Sequence, residues 1–477
     1  MSTETLHPTH MERVFARQRA AFASDGIPSE AIRRDRLDRA IAVLVDRRQE
    51  WHDAVAEDFS HRPGAEALLL DTLLPLENLR HARKHLAAWM RPERRASNFP
   101  FGLIGARSEI RWVPKGVVGN IVPWNIPVVG LFGPLAPMLA AGNCVMVKMS
   151  ELTPASAALA TRLIGEAFDE TEVAVFGGDA AEGAAFASLP LDHLMFTGST
   201  RVGRLVMRAA ADKLTPVTLE LGGKSPAFVC PDADLDLAAR RIAWGKLVIG
   251  GQACIAPDYV LVPQQQLEAF VAKLKGALLR MFPQPQQAAG PTAIINEAHA
   301  ARLNAHLDDA RARGARIEPV CAADAQAASP RRMVPTLIID PSDECRVMQE
   351  EIFGPLLAIK PYRTLDEAID FVNARPHPLA LYCFGQRTLA DRVIEATRSG
   401  GVAVNDVITH AMQENLPFGG IGESGMGAFH AEFGFRAFSH GRAVYRNGRF
   451  DLLAPLRPPF NAGTGATLER LIRLRRP

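Results

Sequence analysis

The sequence predicts an α/β protein built from two doubly wound parallel sheets, and three observations carry that expectation. The chain has 477 residues, more than one hydrophobic core usually supports, so two domains are expected. From Gly116 onward strand-like and helix-like stretches alternate, the rhythm of parallel sheets covered by helices. The alternation starts again near Ser225, which implies a cleft between two α/β units where a two-substrate enzyme binds its ligands.

After a polar N-terminal region, the Leu-rich stretch Ala65–Met90 predicts a helix, kinked at Pro75 and closed by Pro92. Strands are expected at Val117–Val122 and Asn143–Lys148, and Thr153-Pro154 reads as N-cap and first-turn proline of a helix to Phe168. Strands Val173–Phe176 and Leu194–Thr197, a helix Arg201–Asp212 and a strand Val217–Leu221 complete the first series. The second series has strands Pro226–Val229, Tyr259–Val262 and Thr336–Ile339, with helices Leu235–Val248, Leu267–Leu279, Ala301–Arg313 and Leu365–Asn373. Pro283–Gly290, rich in Gln and Pro, reads as a surface loop.

Composition excludes several classes. The 54 basic and 52 acidic residues nearly cancel, whereas nucleic-acid binding needs a clustered basic excess. Met1–Ser24 lacks the continuous apolar segment of a secretory signal. The 6 cysteines are scattered with no C-x-x-C pair, so neither a metal site nor a disulfide framework is expected, and a reducing cytoplasm suits them. No charge occurs between Lys115 and Lys148, but Pro123, Pro127, Pro134 and Pro137 interrupt that run. Four prolines argue against a lipid-spanning helix and for buried strands around an apolar helix.

Three short patterns fail on context. Gly420-Ile-Gly422-Glu-Ser-Gly425 spells a dinucleotide fingerprint but follows no strand. Gly223-Lys224-Ser225 resembles the end of a P-loop, yet Thr218 stands where its first glycine belongs. No G-x-S-x-G element is present. Gly198-Ser199-Thr200-Arg201-Val202-Gly203 does sit between a strand and a helix, where free N–H groups favour an anion, although a helix cap explains it equally. Glu220 ends a strand before Gly222-Gly223, poised over a crevice or simply solvated. Cys254 is flanked by Gly250, Gly251 and Ala253, which leave its sulfur open, but a lone thiol is by default a buried apolar residue.

The combination decides among these alternatives. Pro123-Trp-Asn125, Lys148-Met-Ser-Glu151, Phe196-Thr-Gly-Ser-Thr200, Glu220-Leu-Gly-Gly-Lys224, Gly251-Gln-Ala-Cys254, Glu350-Glu-Ile-Phe-Gly-Pro355 and Leu416-Pro-Phe-Gly-Gly420 follow one another at suitable separations. Together they resemble the aldehyde dehydrogenase superfamily over almost the whole chain. Cys-Ile-Ala-Pro-Asp-Tyr after the thiol and the ending Phe438-Ser-His440 look like its class 3 branch. Val404-Asn-Asp406, His410 and Gly425-Met-Gly427 look most like bacterial coniferyl aldehyde dehydrogenases within that branch. Met149 departs from the family pattern, where proline is usual.

The resemblance implies two Rossmann-like domains with a small β oligomerisation arm. An NAD(P)-binding domain would span 1–95 and 115–221, a catalytic domain 222–424, the arm 96–114 and 425–445, and a C-terminal extension 446–477. Cys254 would be the nucleophile, Asn125 an oxyanion donor and Glu220 the base that activates water. For the cofactor it implies Lys148 and Glu151 at the adenine ribose, Gly198, Ser199, Thr200 and Gly203 around the pyrophosphate, with Leu221 beside them. Glu351 would hold the nicotinamide ribose, and Phe353 and Trp124 would line the corridor. Glu151 favours NAD, since a carboxylate repels a 2′-phosphate, though class 3 relatives often accept NADP too. A cytoplasmic homodimer acting on a small aldehyde, without a membrane segment, is implied. The last segment, Thr467–Arg476, sets Leu468, Leu471 and Ile472 on one side of a solvated helix.

Overall fold

The computed structural model describes residues 9–282, 291–321, 331–460 and 462–475. The loop expected at 283–290 lies outside them. The N-terminal region holds three helices that the sequence reading missed, His10–Asp25, Glu30–Asp46 and Arg48–Phe59. Thr9 and Glu12 form a reciprocal capping box on the first, and Ser29 caps the second. Their buried stripes are narrow, Leu37, Ala40 and Leu44 on one and Trp51, Val55 and Phe59 on the next. Arginines and acids around those stripes mask them in composition.

The helix expected over Ala65–Met90 forms, but a π turn at Leu68–Leu73 stands where a kink at Pro75 was expected. Pro75 has no N–H to give to Asp71, and in the widened turn the Leu74 N–H reaches back to Leu69. Thr153, expected as an N-cap, makes no side-chain cap bond to helix Pro154–Ala167. Asp58 caps that helix instead, accepting from the N–H groups of Ala155 at 2.9 Å and Ser156 at 3.0 Å. A carboxylate from a distant helix thus outcompetes the local hydroxyl, because it reaches two donors at once.

The first sheet runs Gly425–Met426, Val217–Glu220, His193–Thr197, Val117–Ile121, Cys144–Lys148, Val173–Phe176, parallel except for the first strand. Chain order reverses between Val117–Ile121 and His193–Thr197, which makes a crevice at their C-terminal ends. The charge-free segment forms strand Val117–Ile121, the buried helix Pro127–Ala141 and strand Cys144–Lys148, as expected of buried strands around an apolar helix. Among the described residues no helix is long and apolar enough to cross a membrane.

The second sheet runs Arg316–Pro319, Thr336–Ile339, Leu356–Tyr362, Tyr259–Pro263, Pro226–Val229, Ala380–Phe384, Gly401–Val404, again parallel except for the first. Ala227 and Val229 enter one core and Phe228 the other, so both faces are covered. Leu356–Tyr362, Ala380–Phe384 and Gly401–Val404 were not anticipated, since short apolar runs carry no period that separates strand from buried helix. Glu220 ends a strand of the first sheet and Pro226 begins one of the second. The C-terminal edge of one sheet therefore meets the N-terminal edge of the other.

A third, antiparallel sheet joins Glu93–Arg95, Arg107–Pro114 and Ser439–Arg446. Gly425–Met426, within the segment expected for an arm, pairs with Glu220 and Leu219 and so belongs to the first sheet. The terminal helix Ala462–Leu474 leaves Leu468, Leu471 and Ile472 exposed.

Replacing Asp58 by Ala should cost about 1–2 kcal/mol through the lost cap. The measurement is the denaturant midpoint of Asp58→Ala against the parent, with Asp58→Asn retaining part of the difference.

Candidate active site

The loop that carries Cys254 is forced into shape by its glycines. Beyond helix Leu235–Leu247 the chain passes Ile249, Gly250 and Gly251 with φ of 51°, 60° and 78°. A Cβ on Gly251 would lie 2.2 Å from the Gly354 carbonyl oxygen, so only glycine fits there. Ile249 holds the same left-handed backbone without that freedom, and its N–H is tied to Glu66 Oε1 at 2.8 Å. Gln252 is fully buried and anchors the loop from within. Its Nε2 donates to Ile249 O at 2.9 Å and Ala293 O at 3.0 Å, and its Oε1 accepts from Ile295 N at 3.0 Å.

Asn125 precedes helix Pro127–Ala141 and donates from Nδ2 to the backbone carbonyl of Gln252 at 2.9 Å. An amide carries two N–H donors, so one fixes its position and the second is left for a ligand. Cys254, two residues beyond Gln252, is half-buried. Burial first, then the carboxylates of Glu351 and Glu220, push its thiol up to about 12, while the N–H groups of Cys254 and Ile255 oppose the rise. Glu220 is 2 % exposed, and neither carboxyl oxygen has a partner. Burial raises its pKa well above the carboxylate range. The peptide unit that follows it, at the C-terminal end of the strand, is held on both sides: the Glu220 carbonyl accepts from Gly198 N–H at 3.0 Å and the Leu221 N–H donates to Ser424 O at 3.0 Å.

Across the site lies the strip Glu350–Gly354. Burial, then Asp258, lifts Glu351 to about 8 against the pull of Gly223 N–H, Lys224 and Arg302. Lys224 is ion-paired with Asp258 and donates to Val347 O at 2.7 Å and Glu350 O at 3.0 Å. Asp258 in turn accepts the Ile352 N–H at 2.8 Å, and Arg302 donates to Ile352 O at 2.8 Å. Phe353, at φ 48°, turns its ring edge-on to Trp124 at 5.2 Å. Trp124 also meets His299 at 5.0 Å. Rings from both domains therefore close one wall.

A cleft of about 430 Å³ runs along this strip and is lined by Thr200, Gly222, Gly223, Lys224, Glu351 and Pro378 among others. Ser199 caps helix Thr200–Ala211, accepting from Val202 N at 3.4 Å, and Thr200 donates to Glu423 O at 3.0 Å. Gly203 lets that helix lie on Leu221, whose Cδ2 would stand 2.6 Å from a Cβ. Gly198 is equally confined, with Phe196 Cζ 2.5 Å from the Cβ it lacks. Of the residues expected at the cofactor, Thr200 and Glu351 line this cleft, whereas Trp124, Lys148, Glu151, Gly198, Ser199, Gly203, Leu221 and Phe353 do not. Lys148 is buried and donates to Met149 O at 2.8 Å and Gly178 O at 2.7 Å, while Glu151 is exposed in the following turn.

Residues 4–444 match the aldehyde dehydrogenase family. The chain belongs to that family. It is 49% identical over 463 residues to a probable coniferyl aldehyde dehydrogenase of Caulobacter vibrioides, covering 96% of each chain. A coniferyl aldehyde dehydrogenase of Pseudomonas sp. is 47% identical, with 90% of this chain and 89% of that one covered. Among solved structures, substrate-bound Staphylococcus aureus AldH superposes with TM-score 0.90 at 33% identity, over 98% of this chain and 100% of that one. The aldehyde dehydrogenase of Mycobacterium tuberculosis, complexed with NAD+, gives TM-score 0.82 at 27% identity over 93% and 91%.

As an aldehyde dehydrogenase the chain is an NAD(P)-dependent oxidoreductase of the aldehyde group, and the chemistry of several residues at and beside the cleft suits a dinucleotide. The first turn of helix Thr200–Ala211 carries no acidic side chain, so its free N–H groups suit a pyrophosphate, and the nearby Glu423 carboxylate is ion-paired with Arg204. Gly222 keeps the floor open, since a Cβ there would lie 2.1 Å from Glu351 Oε2. Lys148 has used two of three donors, which leaves one for a ribose hydroxyl.

Sequence reasoning missed Gln252 as an anchor, Asp258 and Arg302 as supports of the Glu350–Gly354 strip, and His299 against Trp124. Each acts through contacts with residues far along the chain, which no local spacing records.

In the cofactor-free protein, alkylation of Cys254 by iodoacetamide should be slow at neutral pH. Its rate should keep climbing through the alkaline range, without the plateau of an ordinary thiol near 8.5. Mass spectrometry of the labelled peptide against pH measures this; a plateau near neutrality would contradict the protonated thiol.

Proposed function

We propose that this aldehyde dehydrogenase oxidises coniferaldehyde, or a similar aromatic aldehyde, to its carboxylic acid, with Cys254, Asn125 and Glu220 as the catalytic residues. The observation that carries the substrate is identity. The Caulobacter vibrioides relative stands at 49%, against 38% for mouse aldehyde dehydrogenase family 3 member A2.

In the chemistry that fits the site, Cys254 Sγ first releases its proton to solvent, then attacks the aldehyde carbon as thiolate and forms a thiohemiacetal. The free N–H of Asn125 and the backbone N–H of Cys254 receive the oxyanion. One such donor is worth roughly a hundredfold or more in rate. Bound NAD(P) supplies the hydride acceptor that turns this adduct into a thioester. Glu220 then takes a proton from water, and the hydroxide so formed displaces the thiolate as the acid leaves. A dry carboxyl without hydrogen bonds, its proton affinity raised by burial, suits a base that must take a proton from water.

For the cofactor, Ser199, Thr200 and the backbone of Gly198 and Gly203 would hold the pyrophosphate over Leu221. Glu351 would hold the nicotinamide ribose, with Phe353 and Trp124 flanking the ring. Lys148 and Glu151 would bind the adenine ribose, which favours NAD over NADP. A homodimer built through the three-stranded sheet, and residence in the reducing cytoplasm that suits 6 free cysteines, complete the proposal.

Two experiments test it. With absorbance of the reduced cofactor as readout, coniferaldehyde should be turned over with NAD at a higher kcat/KM than decanal; equal values would sink the aromatic preference. In stopped flow, Cys254→Ser should give neither burst nor turnover. Glu220→Gln should retain a burst of reduced cofactor while steady turnover falls by about a hundredfold or more; loss of the burst would remove Glu220 from deacylation.

A further inference from the structure

Two imidazoles near the Cys254 loop carry three buried ring nitrogens that have nothing in the structure to bond. His410 lies in the short turn Thr409–Met412, and both its ring nitrogens are buried without a partner. His430 Nδ1 is buried and unpartnered as well. Burial holds each imidazole at about 4, and each is therefore neutral at neutral pH, with one N–H donor and one bare nitrogen acceptor. Gly401 makes the room: a Cβ there would lie 2.7 Å from His410 Cδ2. Buried polar atoms of this kind are rare in native proteins and ask for an explanation.

Their surroundings connect them to the thiol. Phe418 stacks on His430 at 5.0 Å and 22° and stands 6.3 Å from His410. The same phenyl ring packs against both large cores, one of which is also flanked by Ala253 and Trp124 and the other by Cys254 and Met412. The Tyr382 ring, 6.0 Å from His410, donates its hydroxyl to the Ile255 carbonyl. Phe429 meets His430 edge-on at 4.7 Å. Beside Phe429, Asn78 holds one oxygen of Glu414, whose other oxygen is again buried and unpartnered. Aromatic faces thus lead from the Cys254 loop to a group of polar atoms without partners.

We propose that His410 and His430 are specificity residues that bind the phenolic hydroxyl of the aldehyde whose carbonyl carbon reaches Cys254. A phenol both donates and accepts, which matches a bare nitrogen on one ring and an N–H on the other. Its flat ring stacks on phenyl faces such as Phe418. An alkyl aldehyde would bring only CH2 groups to these nitrogens and leave them unsatisfied, the situation in which a site discriminates most strongly. This inference rests on the aromatic substrate class proposed above and adds the group that is recognised.

The test compares kcat/KM for 4-hydroxycinnamaldehyde and cinnamaldehyde, which differ by one hydroxyl, in the parent enzyme and in His410→Leu, His430→Leu, His410→Gln and His430→Gln. The parent should prefer the phenol by about tenfold or more. Each leucine variant should bring that ratio to within about twofold, mainly through KM, and the glutamine variants, which keep a donor and an acceptor, should restore part of it. The glutamine variants also decide the matter if a leucine variant does not fold. Equal losses on both substrates, or a preserved ratio in all four variants, overturn the inference. A parent that oxidises both aryl aldehydes without preference overturns it and leaves the aromatic substrate class standing. A parent active on decanal alone overturns both.

Discussion

The hydrogen bond from Asn125 to the carbonyl of Gln252, 2.9 Å long, joins a loop of the first α/β unit to the cysteine loop of the second. Gln252 is itself immobilised by three further bonds to Ile249, Ala293 and Ile295. Cys254 and Asn125 therefore share one rigid reference, although their elements belong to different sheets. The left-handed turn through Ile249, Gly250 and Gly251 is the local strain that this anchoring sustains.

The same closeness explains the electrostatics. Three ionisable groups, Cys254, Glu220 and Glu351, lie in a space with little water, and burial heads the causes that raise each of them. Desolvation favours the neutral forms, and each carboxylate makes a thiolate costlier. The resting site holds its protons. Lys224, Asp258 and Arg302 are kept busy supporting the Glu350–Gly354 backbone and its neighbour Val347, so these charges largely serve architecture.

Much of this was legible from sequence, for identifiable reasons. Val173–Phe176, Pro226–Val229 and Thr336–Ile339 lie where their β-rich composition puts them. Helix Leu365–Asn373 also matches its expected limits, because its apolar face repeats with the helical period. The glycines at 222 and 251 were visible as turn residues, but their reason, the approach of Glu351 and of the Gly354 carbonyl, exists only in three dimensions. Thr153 obeyed the local rule for a cap and lost to Asp58, a residue about a hundred positions away. Six cysteines looked alike until neighbouring motifs singled out Cys254, and no neighbour singled out Gln252 or His430.

One further consequence follows from the segment 221–225, which leads directly from the last residue of one sheet's strand to the first of the other's. Glu220 is covalently part of the first unit and Cys254 of the second. With the roles proposed for these two residues, neither half of the gene encodes a working centre, so recombination between relatives must carry the junction across intact. The seam between the two units is also where such exchange would be least forgiving, and a lineage can alter its outer surfaces far more freely than this inner joint.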